Sequence, residues 1–298
     1  MAVEQSYNAP GPLRQSEAIV VPEGGSSTAA EALAQDGAIR HKLIFRIAAY
    51  LTHRAGPLHA GEFLFPARAS LGEILNILRH AAPVQHQVTI PEGLTGAQIA
   101  KILNDAPVAT GHVEAPVDGA VLPQTYNYLW GTPRKAILSR AEAAMQTDLS
   151  TAWAKRAPNL PFTTPEQAVI LASIVQQETP LPAELPKVAG VYENRLRQGM
   201  KLQADPTVIY AASNGAQSGG KSITRADLDN PSPYNTYMYA GLPPGPICAP
   251  GSAAIEAVLH PETSDNLYFV ATGRGGHVFS HFFKDQLHNI QLFWGRHS

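Results

Sequence analysis

The stretch LASIVQQETP, Leu171 to Pro180, breaks its own pattern at one position. Ala168, Leu171, Ile174 and Val175 recur at helical spacing and should form one apolar stripe, whose next member is position 178. That position holds Glu178. A carboxyl on an apolar stripe has to be paired, protonated or put to use. Thr164 reads as an N-cap with Pro165 at the first helical position, and Pro180 biases Thr179 away from helical geometry, so the sequence predicts a helix over Pro165 to Glu178. Glu178 then stands in the last turn, at the negative end of the helix dipole. Dipole and stripe both disfavour its charged form, which raises the pKa and suits a general acid working near neutral pH. The competing reading turns Glu178 to solvent at a fraying helix end, or pairs it with a cation such as Arg195 or Arg197.

Working outward, further helices are predicted at Pro133 to Thr147, Pro186 to Arg197 and Ala253 to His260. Leu267 to Ala271 and His277 to Ser280, joined by the Gly-rich TGRGG, read as a hairpin. Upstream a theme recurs: IVVPEGGSSTAAEALAQ from Ile19, FLFPARASLGEILNILR from Phe63 and VTIPEGLTGAQIAKILN from Val88. Each reads as a short strand, a Pro-containing turn, a Ser/Thr cap and an amphipathic helix, too irregular for a solenoid. In the third, Val88 and Ile90 are the strand, Thr95 the cap, and Ile99, Ile102 and Leu103 the helical stripe. Units of this kind need a partner to bury their apolar face. The expected organisation is a polar tail over 1–16, an N-terminal α+β region over 17–115 and a mixed α+β domain over 116–298, with the Pro/Gly-rich 107–124 as junction or surface loop.

The composition narrows the function. Twenty-two Lys and Arg against 24 Asp and Glu leave a net charge of -2, so no basic field argues for nucleic acid. Cys248 is the only cysteine, which excludes an intrachain disulfide and a thiolate-rich metal site. The longest apolar candidate, LIFRIAAYL, is short and interrupted by Arg46, and the first twenty residues show no signal-peptide core, so the chain reads as soluble. Downstream of Glu178, NRLRQGMKLQADPTVIYA and SPYNTYMYAGLPPGPICAPG crowd Tyr, Asn, Thr and Gln between turn-forming Pro and Gly. Such side chains recognise sugars by hydrogen bonds and flat apolar contact.

LASIVQQET, VYENRLRQGMKLQADPTVIYA, SPYNTYMYAGLPPGPICAPG and LYFVATGRGGHVFS together resemble the YceG-like family of endolytic murein transglycosylases. The resemblance runs from about residue 18 to the end, and IPEGLTGAQIAKIL looks like the family's LysM-like segment. It implies a LysM-like N-terminal region followed by a catalytic domain that cuts the bond between N-acetylmuramic acid and N-acetylglucosamine inside peptidoglycan glycan strands without water. It also implies work at the periplasmic face of the bacterial inner membrane beside peptidoglycan synthases, and no cofactor. The family's catalytic glutamate, the second acid of a segment resembling SIVEKET, matches Glu178. The first acid and the lysine are replaced by Gln176 and Gln177, which removes nearby charge. A membrane-spanning N-terminal helix is usual in the family and is not seen in this sequence. By the same resemblance Gln203, Asp205, Tyr234, Asn235, Thr236 and Tyr237 bind substrate, Tyr234 reading equally as a core tyrosine, and the position of His277 on the strand after GRGG sets it to line the cleft.

Two other readings compete. An ordinary glycosidase needs a second carboxylate, and Asp205 and Glu184 are the candidates, Asp205 also reading as a simple Asx-turn before Pro206. An inactive peptidoglycan-binding scaffold would explain Gln176 and Gln177 but not the retained Glu178. Metal catalysis is weaker still. His277, His281 and His288 lie close in sequence without a ligand spacing such as HExxH, and Cys248 has no motif that makes it a nucleophile.

Overall fold

A computed structural model describes residues 7–220 and 222–295. The chain is of the α+β class, with short antiparallel strand pairs among many helices, and divides into two compact units. The first runs to Gln87 and takes in Pro107–Thr110 and Asn127–Pro133; the second holds Val88–Ala106, Gly111–Tyr126 and the chain from Arg134.

The first unit is built on β1 (Glu17–Val21), α1 (Gly25–Gln35), α2 (Lys42–Leu51), β2 (Gly61–Phe65) and α3 (Leu71–His80). β1 and β2 pair antiparallel with Ile19 opposite Phe63, and alternation sends Ile19, Val21, Phe63 and Phe65 into a core shared with Leu33, Phe45 and Leu75. α3 starts as predicted, with Ser70 and Glu73 forming a reciprocal capping box. α1 does not. Its N-cap is Gly24 at φ 134°, with no side-chain bond, because the double glycine closes that turn where a hydroxyl was expected. The predicted tail is also corrected for residues 7–16. Leu13 is buried in this core, and Gly11 N donates to Arg68 O while Arg68 N donates to Leu13 O. Residues 1–6 of that tail lie outside the described residues.

β3 (Gln85–Thr89) and β4 (Thr125–Leu129) form a second pair, and α4 (Gly96–Asp105) follows Thr95, whose capping box with Gln98 matches the sequence reading. β3 ends one residue before Ile90, which was expected inside it. The 107–124 stretch has no regular element, yet Ala109, Val113, Val121 and Leu122 are buried, so it is not a surface loop throughout.

The second unit surrounds one helix. α5 (Arg134–Ala154), α6 (Pro165–Glu178), α7 (Leu185–Arg197), α8 (Asp205–Ala212), the short α9 (Arg225–Leu228) and α10 (Ser252–Leu259) precede a hairpin of β5 (Tyr268–Ala271) and β6 (His277–Ser280) and a last helix α11 (Phe283–Trp294). α10 packs on α5, α6 and α7, and α6 also meets α7 and α8. Every residue of α6 from Ala168 to Val175 is buried. The expected single stripe is therefore a helix covered on all faces, which an apolar run permits and a stripe rule does not anticipate. Small side chains let its neighbours approach: Ala168, Ala172, Ala189 and Ala254 are all fully buried in this core. Gly190 has a stricter reason, since a Cβ there would stand 2.6 Å from the carbonyl oxygen of Glu262.

Candidate active site

α6 delivers Glu178. Thr164 accepts from Gln167 N in a capping box, Pro165 opens the first turn, and Thr179 leaves the helix in extended geometry before Pro180. The helix is thus stopped at both ends by the residues the sequence singled out. Glu178 is partly exposed, and it borders a cleft of about 310 Å³ together with Tyr192, Arg195, Gln203, Asp205, Tyr237 and the rings of Tyr268, Phe269 and Phe283.

Within this cleft the Glu178 carboxyl accepts one strong hydrogen bond, from the Tyr192 hydroxyl to Oε1 at 2.5 Å. Burial pushes its pKa up to about 7. The Tyr192 bond and the Arg195 charge pull it down, and the Asp205 carboxylate pushes it further up. Tyr192 itself is 1% exposed, its ring held edge-on against Phe269 at 5.8 Å. Arg195 does not pair with Glu178. Its guanidinium donates to the carbonyls of Leu267 at 2.7 Å and Leu202 at 2.6 Å, which joins α7 to β5 and to the segment before α8. Arg197 pairs instead with Glu193, a fully buried carboxyl whose pKa burial raises to about 7 against the pull of Arg197. Neither arginine therefore forms an ion pair with the candidate acid, although the charge of Arg195 is felt there.

Asp205 lies on the same cleft, and the Asx-turn reading is corrected: it is the first residue of α8, with Ala204 as N-cap, and its Oδ1 accepts from the Tyr237 hydroxyl at 2.6 Å. Burial and this carboxylate hold the Tyr237 hydroxyl well above its ordinary pKa, so it stays a donor. Gln203 precedes it in the left-handed region at φ 51°, its N–H held by the Thr236 carbonyl and its side chain exposed at the cleft. Thr236 works from below. Its hydroxyl accepts from Ala204 N at 2.9 Å and meets the Thr207 hydroxyl at 2.8 Å, which fixes the turn that aims Gln203 and Asp205.

Four expected cleft residues are placed elsewhere, the buried Thr236 among them. Asn235 is fully buried, its amide donating to the carbonyls of Leu228 and Asn230 and its Oδ1 accepting from Tyr237 N, so it braces the loop that carries Tyr237. Tyr234 packs on Tyr210 at 4.8 Å between ring centres, against the core. His277 is bound by Glu184, which accepts from its backbone N–H at 2.8 Å and contacts Nδ1 at 2.7 Å. Burial tends to raise the Glu184 pKa, but the bonds from His277 and from Thr179 outweigh it and hold the carboxyl below its ordinary value. Glu184 is thus committed to tying β6 to the end of α6 and is not a lining residue of the cleft.

Gln176 and Gln177 also have structural work. Gln176 donates to Glu92 and accepts from Gly251 N, while Gln177 donates to the Gly93 carbonyl at 2.6 Å and to Ser218. Neutral amides can donate and accept at once, which charged side chains at these positions could not. Cys248 is buried, and burial pushes its thiol up to about 12, far from a nucleophile's range. His281 contacts the Asp265 carbonyl, His288 is exposed, and among the described residues no three His, Cys, Asp or Glu side chains group as metal ligands.

The missed contributors are Tyr192, the Arg195 bridge and α11, which brings Phe283 and Gln286 to the cleft edge. The helical spacing of Phe283, Leu287, Ile290 and Trp294 was available as a signal for α11. Nothing in sequence spacing links Tyr192 on α7 to Glu178 on α6.

The YceG-like family model matches residues 19–292. An endolytic murein transglycosylase of Bacillus subtilis (strain 168) is 34% identical over 185 residues, 62% of this chain and 49% of that protein. One of Streptococcus pneumoniae serotype 2 is 28% identical over 305 aligned positions, 87% of this chain and 55% of that protein. The chain spans about half the length of these relatives. A crystal structure of a yceG-like protein from Listeria monocytogenes superposes with a TM-score of 0.59 at 25% identity, covering 92% of this chain and 98% of that one. The match over nearly the whole described chain places the protein in the YceG-like family.

Proposed function

We propose that the chain is an endolytic peptidoglycan lytic transglycosylase with Glu178 as its catalytic residue, cutting MurNAc–GlcNAc bonds within glycan strands to leave 1,6-anhydroMurNAc ends. The observation that carries this is one cleft carboxyl whose pKa is raised to about 7 and which, among the described residues, makes no ion pair. With Oε1 holding the Tyr192 hydrogen, the transferable proton belongs on Oε2. Glu178 gives that proton to the leaving oxygen of N-acetylglucosamine as the C1–O bond breaks. The new carboxylate then takes the proton of the muramic acid 6-hydroxyl, whose oxygen closes on C1. Asp205, held by Tyr237, faces the positive charge that develops at C1, and Tyr268, Phe269 and Phe283 offer apolar faces to the sugar rings.

Further parts of the reading rest on the sequence resemblance. The enzyme would terminate or trim nascent strands at the periplasmic face of the inner membrane, beside the synthases that make them. Residues 19–107 would assist glycan binding as a LysM-like region and supply no catalytic group. A second reading, a muramidase-type hydrolase, is favoured by one observation, that Asp205 shares the cleft with Glu178 and would be its second carboxylate. Mass analysis of the products from purified sacculi decides: anhydro ends support transglycosylation, free reducing ends support hydrolysis, and no new ends support a binding protein.

A further inference from the structure

The first unit carries a helix whose outward face is apolar. α2 buries Phe45, Ala48 and Ala49 in the core of its unit. On the opposite face Leu43 is 65% exposed, Ile47 38%, Tyr50 76% and Leu51 64%. These four fall at i, i+4, i+7 and i+8, so they line one stripe rather than scatter. A helix apolar on both faces is expected of an element covered on both sides, and this one is covered on one.

The charges around the stripe identify what would cover it. From Gly37 to Gly61 the sequence holds Arg40, Lys42, Arg46 and Arg54 and no acidic residue, in a chain whose net charge is negative. All four cations are exposed, and among the described residues none of them makes an ion pair. Arg46 and Lys42 lie along one flank of the stripe, and Arg40 and Arg54 lie beyond its two ends. Beside the N-terminal end of α2 opens a concavity of about 190 Å³ lined in part by Ile39, Arg40, His41 and Ile44, which sets one of the four cations beside apolar side chains. A protein partner would need acidic groups and a shaped surface; an anionic bilayer needs only this arrangement, with apolar side chains entering the acyl boundary, cations at headgroup level and a tyrosine between them. Ten residues at about 1.5 Å each reach about 15 Å, half the hydrocarbon thickness, so α2 would lie on the surface and not cross it.

We infer that α2 is an interfacial docking helix that seats the first unit on an anionic lipid surface. The test uses the full chain in co-sedimentation with vesicles of equal parts phosphatidylcholine and phosphatidylglycerol, and with vesicles of phosphatidylcholine alone. The wild type is expected to sediment with the anionic vesicles, weakly with the neutral ones, and less as salt rises. Lys42→Gln with Arg46→Gln should weaken anionic binding about fivefold for each cation removed. Leu43→Gln with Tyr50→Gln should weaken it at least about tenfold at low salt, since it removes the inserting face. All four positions are exposed, and circular dichroism checks that both variants keep their helix content. Failure of the wild type to sediment, equal binding to both vesicles, or a folded variant that binds like the wild type would each overturn the inference. Light scattering covers the remaining occupant: a dimer lost in the Leu43/Tyr50 variant, with no vesicle binding, would assign the stripe to a second copy instead.

Discussion

Replacing Glu178 by Gln should separate catalysis from stability, with opposite signs. Burial raises the carboxyl from an ordinary 4.5 to about 7. At about 1.4 kcal/mol for each pH unit, that rise corresponds to about 3 kcal/mol by which the folded protein disfavours ionisation. One edge of Glu178 opens on the cleft, and solvent screening there reduces the figure to about 2 kcal/mol. The sign follows from linkage. Below pH 4.5 the carboxyl is protonated in both folded and unfolded chains and the penalty is absent. As pH climbs towards 7 the unfolded chain releases its proton while the folded one retains it, so folded stability falls, and the loss is complete above about 7. Gln cannot ionise, keeps the shape, and can still accept from Tyr192. The difference in melting temperature between Glu178→Gln and wild type should therefore grow from near zero at pH 4.5 to about 4–8 °C at pH 8, taking about 2–4 °C per kcal/mol. Glu193 titrates over a similar range but is present in both proteins, so it cancels in the difference. Thermal melts followed by circular dichroism at four or five pH values give the stability half. Digestion of sacculi gives the other half, where anhydro ends should disappear. A melting difference that stays flat with pH, or a variant that still forms anhydro ends near the wild-type rate, would refute the raised pKa and the role built on it.

The neighbours of Glu178 give sharper tests of direction. Tyr192→Phe removes the bond that lowers the Glu178 pKa, so the alkaline limb of the pH–rate profile should move up while the maximal rate drops about tenfold; an unmoved limb would mean the bond does not tune the acid. Asp205→Asn removes the charge that raises it, so that limb should move down with anhydro ends still formed; complete loss of cleavage would favour the hydrolase reading. Asn235→Ala should cost about 2–4 kcal/mol in denaturant unfolding, because two buried carbonyls and one N–H lose their partner, with activity per folded molecule reduced only as far as Tyr237 shifts.

The elements most readily legible in the sequence were those marked by their own punctuation. Thr164, Pro165 and Pro180 gave α6 the limits it has, and Ser70 and Thr95 fixed the starts of α3 and α4, since capping is local chemistry. α5 runs to Ala154, seven residues past its expected end at Thr147, because no proline or glycine stops it there. α8 was hidden by its Ala204 cap, whose support comes from Thr236 far along the chain. Glu178 could be found because it contradicts its surroundings. The placements of Asn235, Thr236, Tyr234 and His277 could not, because a polar residue that braces a loop and one that lines a cleft have the same composition and differ only in tertiary contacts. Tyr192 was missed for the converse reason: an aromatic on a buried helix face looks like core until its hydroxyl is seen to meet a carboxyl.

The enclosure of α6 also determines which inherited changes this chain can survive. A helix buried on every face from Ala168 to Val175, capped at Thr164 and stopped before Pro180, has no room to absorb a change in length. Deleting one residue between Pro165 and Gln177 would turn Glu178 by about 100° and draw it back about 1.5 Å, taking its carboxyl away from Tyr192. One added residue would do the same in the other direction. Insertions and deletions among active descendants should therefore collect before Thr164 and after Pro180, while the fourteen residues from Pro165 to Glu178 behave as a fixed ruler from cap to acid.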